Sequence, residues 1–211
     1  VVRILESEGI EAAFGIPGAA INPVYEFLST SKQIKHYVAR HEEGAVHAAD
    51  GYFRASGRMA LAICTSGPAA TNFVTGLYTA QIDSMPLMAI TGQNVRAQLG
   101  KEAFQCVDIA TIARPVCKAS WCMTEPAQVP VIMREAFRVA REGRPGPVLI
   151  DLPLDVQMAD IPYDPASDHP LPVTRPAPHR DQIARAMDLL LKAERPVLIL
   201  GGGVLLAGAC D

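Results

Sequence analysis

A chain of 211 residues, of which 49% are hydrophobic and 19% charged, has the composition of a compact globular protein and is not predicted to be disordered. Its net charge of −3 gives no general attraction to nucleic acid or to anionic lipid, so neither partner is expected. The most apolar stretch, residues 196–210, is shorter than the ~20 residues that a membrane-spanning helix needs.

Short aliphatic runs alternate with longer helical patterns, which predicts an α/β fold with a mostly parallel sheet. Some runs are apolar at every position, as expected of central strands that are buried on both faces. The predicted strands are Glu11–Gly15, His36–Arg40, Met59–Thr65, Leu87–Gly92, Val116–Met123 and Val148–Leu152. The predicted helices are Ala20–Ser29, Glu43–Ser56, Pro68–Ile82 and Gln128–Arg141.

A proline-rich segment, residues 163–178, follows these elements and is predicted to be an extended linker after a first domain of residues 1–162. Beyond it, an amphipathic helix over Arg180–Lys192 and a buried strand over Pro196–Leu200 predict that residues 179–211 begin a second α/β domain. Because the chain starts with Val1 and stops soon after a strand-like run, we expect an N-terminal piece of a longer protein.

The cysteines show no zinc-site spacing, and their odd number gives no disulfide pattern. This favours reduced thiols in a cytoplasmic protein, and we expect them to act mainly as small buried side chains. They are Cys64, Cys106, Cys117, Cys122 and Cys210.

Two glycine-rich turns, Phe14–Ala20 and Cys64–Asn72, each follow a predicted strand. Ligands of parallel sheets lie at the carboxyl ends of the strands, where such turns let the backbone come close to a ligand. Thr65 or Ser66 is predicted to cap the next helix, with Pro68 in its first turn. Either turn alone fits an ordinary strand-to-helix connection, and neither is a phosphate loop because no Gly-Lys-Ser or Gly-Lys-Thr follows.

The segment Arg40–Ala45 reads Arg-His-Glu-Glu-Gly-Ala at the start of a predicted helix. A metalloprotease helix would need a second histidine at Ala45, so no metal site is predicted. Carboxylates are common at helix N-termini because they complement the helix dipole. On spacing alone, Glu42 and Glu43 are therefore more typical of structural than of catalytic residues.

Four segments in this order resemble the pyrimidine-binding domain of thiamine-diphosphate enzymes of the acetolactate synthase family. They are Phe14–Gly18, Arg40–Arg54, Thr65–Asn72 and Gly143–Pro153. The resemblance covers essentially the whole chain. It implies an enzyme that binds thiamine diphosphate, with cofactor contacts at Pro17, Gly18, Glu42, Thr65, Ser66, Gly67 and Asn72.

The resemblance gives Glu42 a chemical role, because the family places a glutamate there against N1′ of the cofactor aminopyrimidine. Sharing a proton with N1′ lets the 4′-nitrogen take the C2 proton of the thiazolium. Burial in an apolar cleft would raise the pKa of such a carboxyl group and help it to keep that proton. Glu43 is the alternative candidate.

Three features are similar to glyoxylate carboligases, which join two glyoxylate molecules into tartronate semialdehyde with loss of CO2. They are the first turn Gly15–Pro23, the predicted substrate-side segment Gln98–Ile109, and Leu154, where acetolactate synthases usually carry lysine. Glu42 favours acetolactate synthase, which converts two pyruvate molecules into acetolactate and CO2, because glyoxylate carboligases usually have valine there. Glyoxylate is therefore the expected substrate, with pyruvate as the alternative.

The substrate-side segment contains Phe104 and Gln105, which the resemblance places beside the thiazolium in a neighbouring subunit of a homo-oligomer, a dimer or tetramer. For Phe104 the alternative is a plain core aromatic residue. Gly92 and Gln93 either line the same cleft or only end a strand.

The family binds Mg²⁺ and the diphosphate through a C-terminal Gly-Asp-Gly motif followed by asparagine, and this chain contains no Gly-Asp-Gly. We therefore expect the chain alone to hold no metal and to be inactive. The resemblance also allows FAD as a further cofactor, and a regulatory or FAD-containing relative without thiamine chemistry is the non-catalytic alternative.

Overall fold

A computed structural model of the chain describes residues 1–209, which fall into two compact units. The first unit comprises Val1–Val173, and the second begins at Thr174. Among the described residues, no helix has both the length and the apolar character needed to cross a membrane.

The first unit is built on a sheet of six strands in the order β2-β1-β3-β4-β6-β5, and every neighbouring pair is parallel. The predicted α/β fold with a parallel sheet is confirmed. The strands β3, β4 and β6 are buried at every residue, which is why their sequences are mainly apolar, with Thr91, Gln93 and Asp151 as buried polar exceptions. The strand bounds are Ala12–Gly15 (β1), Lys35–Val38 (β2), Leu61–Cys64 (β3), Met88–Gln93 (β4), Ala119–Cys122 (β5) and Val148–Pro153 (β6).

Eight α-helices accompany the sheet in the first unit, with 3-10 turns at Arg96–Gln98 and Pro126–Gln128. The predicted helix Pro68–Ile82 is wrong in one respect, because the structure divides it at Asn72 into two helices, Pro68–Thr71 and Phe73–Ile82. The short helices α1, α6 and α8 are too brief to show a clear period in the sequence. The helices are Val2–Ser7 (α1), Asn22–Thr30 (α2), Glu42–Ser56 (α3), Pro68–Thr71 (α4), Phe73–Ile82 (α5), Ile109–Ala113 (α6), Val129–Arg141 (α7) and Leu154–Gln157 (α8).

The core lies in two apolar layers, one on each face of the sheet. Ile63, Ile90 and Ile150 point to one face and pack with α1, α2 and α7. Ala62 and Leu149 point to the other face, where α3, α5 and α6 contribute. The division follows from the strands themselves, since successive side chains of a strand point to opposite faces.

The second unit contains helices α9 (Arg180–Lys192) and α10 (Gly202–Leu206). The predicted helix Arg180–Lys192 is confirmed. The predicted buried strand Pro196–Leu200 is wrong, because this segment forms no strand and its Val197 and Ile199 are 84% and 92% exposed. A strand needs a hydrogen-bonded neighbour, and the described part of this unit, residues 174–209, contains no strand that could pair with this segment. Cys210 lies outside the described residues.

A buried ion-pair network closes the first unit around Arg134 of α7. The Arg134 side chain is 3% exposed and donates to Glu8, which is fully buried, and to Asp168, at 2.7 Å each. Arg141 also pairs with Glu8, at 2.6 Å, and the Tyr163 hydroxyl donates to Asp168 at 2.7 Å. Tyr163 and Asp168 belong to the proline-rich segment, so the start of that segment is packed against the first unit.

Replacing Arg134 by methionine should destabilise the chain strongly, because Glu8 and Asp168 would lose their shared partner. Removing one member of a buried pair typically costs about 3–5 kcal/mol, and we expect about 3 kcal/mol because Arg141 still contacts Glu8. Urea unfolding followed by circular dichroism measures the change. The matched control is Arg138→Met on the same helix, where the arginine pairs with Glu135 and Glu142 near the surface. Equal losses in the two variants would contradict this prediction.

Candidate active site

The two glycine-rich turns contact each other at the carboxyl ends of β1 and β3. These strands are parallel neighbours, so the turns that follow them emerge side by side. The Ala20 amide donates to Thr65 Oγ1 at 3.2 Å. A Cβ placed on Gly18 would lie 2.6 Å from the Cβ of Thr65, which is too close for any side chain. Glycine at this position is therefore required by the approach of the second turn.

The predicted capping role of Thr65 and Ser66 is wrong. Helix α4 has Gly67 as its N-cap residue, with no side-chain cap hydrogen bond. Gly67 has a φ of 65° and lies between the two hydroxyl residues and the helix, so the Thr65 hydroxyl serves the first turn instead. Pro68 begins the helix, as predicted.

Glu42 is the first residue of α3 and lies against the second turn. His41 precedes it in an extended conformation, and its ring nitrogen Nδ1 accepts from the Glu43 amide at 3.2 Å. The Asn72 side-chain amide donates to Glu42 Oε2 at 2.9 Å, and Glu42 is half-buried. Glu43 instead faces His47 one helical turn on, at 3.7 Å. Of the two candidates, Glu42 is therefore the carboxylate that lies at the turns.

Asn72 reaches Glu42 because it stands at the junction of α4 and α5. The division of the predicted helix at this residue is thus part of the site. Ser66 is buried next to Thr65, whereas Pro17 is exposed on the first turn. The structure gives Pro17 no contact that distinguishes it as a ligand residue.

The segment with Phe104 and Gln105 lies over the second turn. Gln105 has a φ of 54°, and a Cβ on Gly67 would lie 2.7 Å from the Gln105 Cβ. The loop therefore rests directly on the backbone of Gly67. Phe104 is 85% exposed, so the alternative of a core aromatic residue is wrong for this chain. Its role beside a neighbouring subunit stays a prediction.

A polar row that was not predicted from the sequence crosses the sheet beside these loops. Cys64, Thr91, Asp151 and Cys122 are register partners on the adjacent strands β3, β4, β6 and β5. Asp151 is 1% exposed and accepts from Thr91 Oγ1 at 2.7 Å and from Gln93 Nε2 at 2.9 Å. Burial raises the pKa of Asp151 from its ordinary value of 3.8 to about 7, although these hydrogen bonds oppose the rise. The sequence feature that could have revealed this row is the single carboxylate Asp151 within an otherwise apolar strand.

The four cysteines within residues 1–209 are free thiols. Cys64 and Cys117 are buried, as predicted, while Cys106 and Cys122 are partly exposed. Burial raises the pKa of Cys64 well above its ordinary value, and the charges of Glu42 and Asp151 add to this effect. The Cys64 thiol is thus influenced by the negative charges of both carboxylates. Over residues 1–209, no group of three or more His, Cys, Asp or Glu side chains could hold a metal ion.

Paired glycine turns and a helix-terminal carboxylate at the carboxyl edge of a parallel sheet define an α/β cofactor-binding domain. The chain belongs to the family described as "Thiamine pyrophosphate enzyme, N-terminal TPP binding domain", which matches residues 1–112. All the residues of the two turns, together with Glu42 and the Phe104 segment, fall inside that range.

Several curated proteins are similar over nearly the whole chain. A glyoxylate carboligase of Escherichia coli O157:H7 is 53% identical over 207 residues, covering 98% of this chain and 35% of that protein. An acetolactate synthase of Arthrospira platensis is 46% identical over 218 residues, covering 99% and 37%. An acetolactate synthase large subunit of Corynebacterium glutamicum is 46% identical over 211 residues, covering 99% and 34%. The chain therefore spans about a third of the length of these curated relatives.

The buried Asp151 should make stability depend on pH. Its pKa is raised in the folded state, so the unfolded chain loses this proton near pH 4 while the folded chain keeps it until about pH 7. The free energy of unfolding should fall across this window by at most roughly 4 kcal/mol. Above about pH 7 the contribution of Asp151 to this free energy is constant. Asp151→Asn lacks this contribution. The free energy of unfolding of the variant minus that of the wild type should therefore rise between pH 4 and 7.

Urea unfolding at closely spaced pH values measures that difference for Asp151→Asn. The matched control is the same substitution at exposed Asp160. If both differences follow pH equally, the raised pKa of Asp151 is not the cause.

Proposed function

We propose that the whole protein is a thiamine-diphosphate-dependent carboligase that decarboxylates a small 2-oxo acid, with Glu42 as its proton-carrying group in this chain. The observation that carries the proposal is the Asn72–Glu42 hydrogen bond at the paired glycine turns. The similar proteins named above are a glyoxylate carboligase and acetolactate synthases, which supports the same reaction type.

The residues present fit the aminopyrimidine end of the cofactor. Gly18 and Gly67 let the two turns and the segment with Gln105 pack closely together, and the half-buried Glu42 carboxylate lies at these turns. The bound cofactor would supply a thiazolium that forms the carbon nucleophile and accepts the electrons released by decarboxylation. The residues proposed to hold it are Pro17, Gly18, Glu42, Thr65, Ser66, Gly67 and Asn72.

The hydrogen bond from Asn72 is compatible with Glu42 gaining and losing a proton. An amide N–H can donate both to a carboxylate oxygen and to the carbonyl oxygen of a protonated carboxyl group, with the stronger bond to the carboxylate. Asn72 therefore fixes the orientation of Glu42 in both states without adding a positive charge that would hold it ionised. The other oxygen, Oε1, is the atom proposed to share its proton with N1′ of the pyrimidine.

Glyoxylate is the substrate we favour, giving tartronate semialdehyde and CO2 from two molecules. This choice is supported by the 53% identity to a glyoxylate carboligase, against 46% to the acetolactate synthases, and by Leu154. Pyruvate is the second candidate, giving acetolactate, because Glu42 stands where glyoxylate carboligases usually carry valine.

The remaining parts of the proposal concern the whole protein. Mg²⁺ and the diphosphate would be held outside this chain, and FAD is a second candidate cofactor that flavin absorbance would reveal. A homo-oligomer, a dimer or tetramer, is supported by the exposure of Phe104, since an aromatic side chain on the surface suits a neighbouring subunit. A cytoplasmic location accords with free cysteines.

Replacing Glu42 by glutamine in the whole protein should lower the rate of CO2 release by about 10²- to 10⁴-fold, the range of general acid–base catalysis. The side chain keeps its size and can still contact Asn72, so folding should be preserved. Glu43→Gln is the matched control and should keep most of the activity, because Glu43 faces His47. Unchanged turnover in Glu42→Gln would show that Glu42 has a structural role and does not carry the proton.

A substrate panel separates the two candidate reactions. The whole protein, supplied with thiamine diphosphate and Mg²⁺, should release CO2 faster from glyoxylate than from pyruvate. The reverse order would favour acetolactate synthase. The chain of residues 1–211 under the same conditions should show no turnover, and clear activity there would contradict our placement of the diphosphate site.

A further inference from the structure

We infer that Gln93 is a positioning residue that ties the loop carrying Phe104 and Gln105 to the buried carboxylate of Asp151. The loop in question, residues 94–108, is called the Phe104 loop below. The contacts stand on the structure of this chain alone, while their effect on turnover rests on the proposed function.

The fixed end of this connection is Asp151, in the middle of the sheet. Its two carboxylate oxygens are held separately, Oδ1 by the Thr91 hydroxyl at 2.7 Å and Oδ2 by Gln93 Nε2 at 2.9 Å. Thr91 and Gln93 lie two residues apart on β4, so both point to the same face of the sheet. Asp151 therefore sets the orientation of the Gln93 side chain.

The other end is the Phe104 loop. The same Nε2 atom donates its second proton to the Val107 carbonyl at 2.7 Å. Gln93 Oε1 accepts from the Asn94 backbone amide at 2.9 Å, and Asn94 Nδ2 donates to the Phe104 carbonyl at 2.8 Å. Gln93 and its neighbour thus hold the loop at two carbonyls, one on each side of Gln105.

The Phe104 loop contacts the second glycine turn. Gln105 adopts a φ of 54°, which is unfavourable for a residue with a side chain, and its Cα and Cβ lie against Gly67. Such a conformation persists only where surrounding contacts impose it. The two carbonyl anchors, at Phe104 and Val107, supply that constraint.

Glutamine is the residue type that this position requires. Gln93 is 2% exposed, and its amide makes all its hydrogen bonds within the chain, two as donor and one as acceptor. Glutamate could not donate to either oxygen and would place a second negative charge beside Asp151. A residue that only ended the strand would need none of these groups, so strand termination does not explain the side chain.

Hydrogen–deuterium exchange on the 211-residue chain tests the inference directly. Gln93→Met keeps the volume of the side chain but removes its donors, and we expect exchange in residues 99–107 to rise at least tenfold. Exchange in β5, residues 119–122, is the internal reference, because a general loss of stability would raise it equally. The exposed Gln128→Met is the matched control and should leave the loop unchanged.

A second variant covers the case in which Gln93→Met unfolds. Asn94→Ala removes the bond to the Phe104 carbonyl at a half-buried position and should loosen the same loop. A loop that exchanges as in the wild type, in a folded variant of either residue, would overturn the inference.

Steady-state kinetics of the whole protein provide the functional arm. Gln93→Met should lower kcat/KM for the 2-oxo acid about tenfold or more, although Glu42 and its bond to Asn72 are untouched. Full activity with a loosened loop would remove the positioning role. A wild-type protein that converts neither glyoxylate nor pyruvate would refute the proposed function and leave the exchange result standing.

Discussion

The Ile16 amide donates to the Ile63 carbonyl at 3.2 Å, where the chain leaves β1 beside β3. Gly15 lies so close to this carbonyl that a Cβ would stand 1.8 Å from its oxygen. This backbone contact fixes where the first turn begins, and the second turn begins from the neighbouring strand. The contacts of Gly18 with Thr65, of Asn72 with Glu42 and of Gln105 with Gly67 all follow from these two starting points.

The site therefore consists of backbone geometry more than of charged side chains. Gly18 and Gly67 provide close approach, and Glu42 is a carboxylate placed where the N-terminus of α3 already favours negative charge. Its partner is a neutral amide. Such a site can hold a flat, nitrogen-rich ring through hydrogen bonds while leaving one acid able to gain or lose a proton.

The sequence predicted the elements with strong patterns and missed what depends on distant contacts. The apolar run Leu61–Cys64 marked a central strand because burial on both faces leaves no room for polar residues. The run Pro196–Leu200 has the same character but forms no strand, since apolar composition alone cannot provide a neighbour. Thr65 looked like a helix cap because local spacing does not reveal that Ala20 needs its hydroxyl.

The candidate site was predictable to a similar degree. Glu42 and the two turns were predicted from the resemblance, with Glu43 as the alternative, and the hydrogen bond from Asn72 is a contact that the sequence did not reveal. Gln93 and Asp151 are far apart in the sequence, and nothing in the segments that contain them predicts that the two side chains meet. Their connection exists only because β4 and β6 are neighbours in the sheet.

The ion pairs of Arg134 connect the beginning of the first unit with its end. Asp168 comes fifteen residues after the last strand, yet it neutralises an arginine in the interior together with Glu8, near the opposite end of the chain. A protein cut at residue 162 would retain every strand and lose this counter-charge. The compact unit thus extends beyond the completed sheet, and a buried arginine joins its two ends through ion pairs.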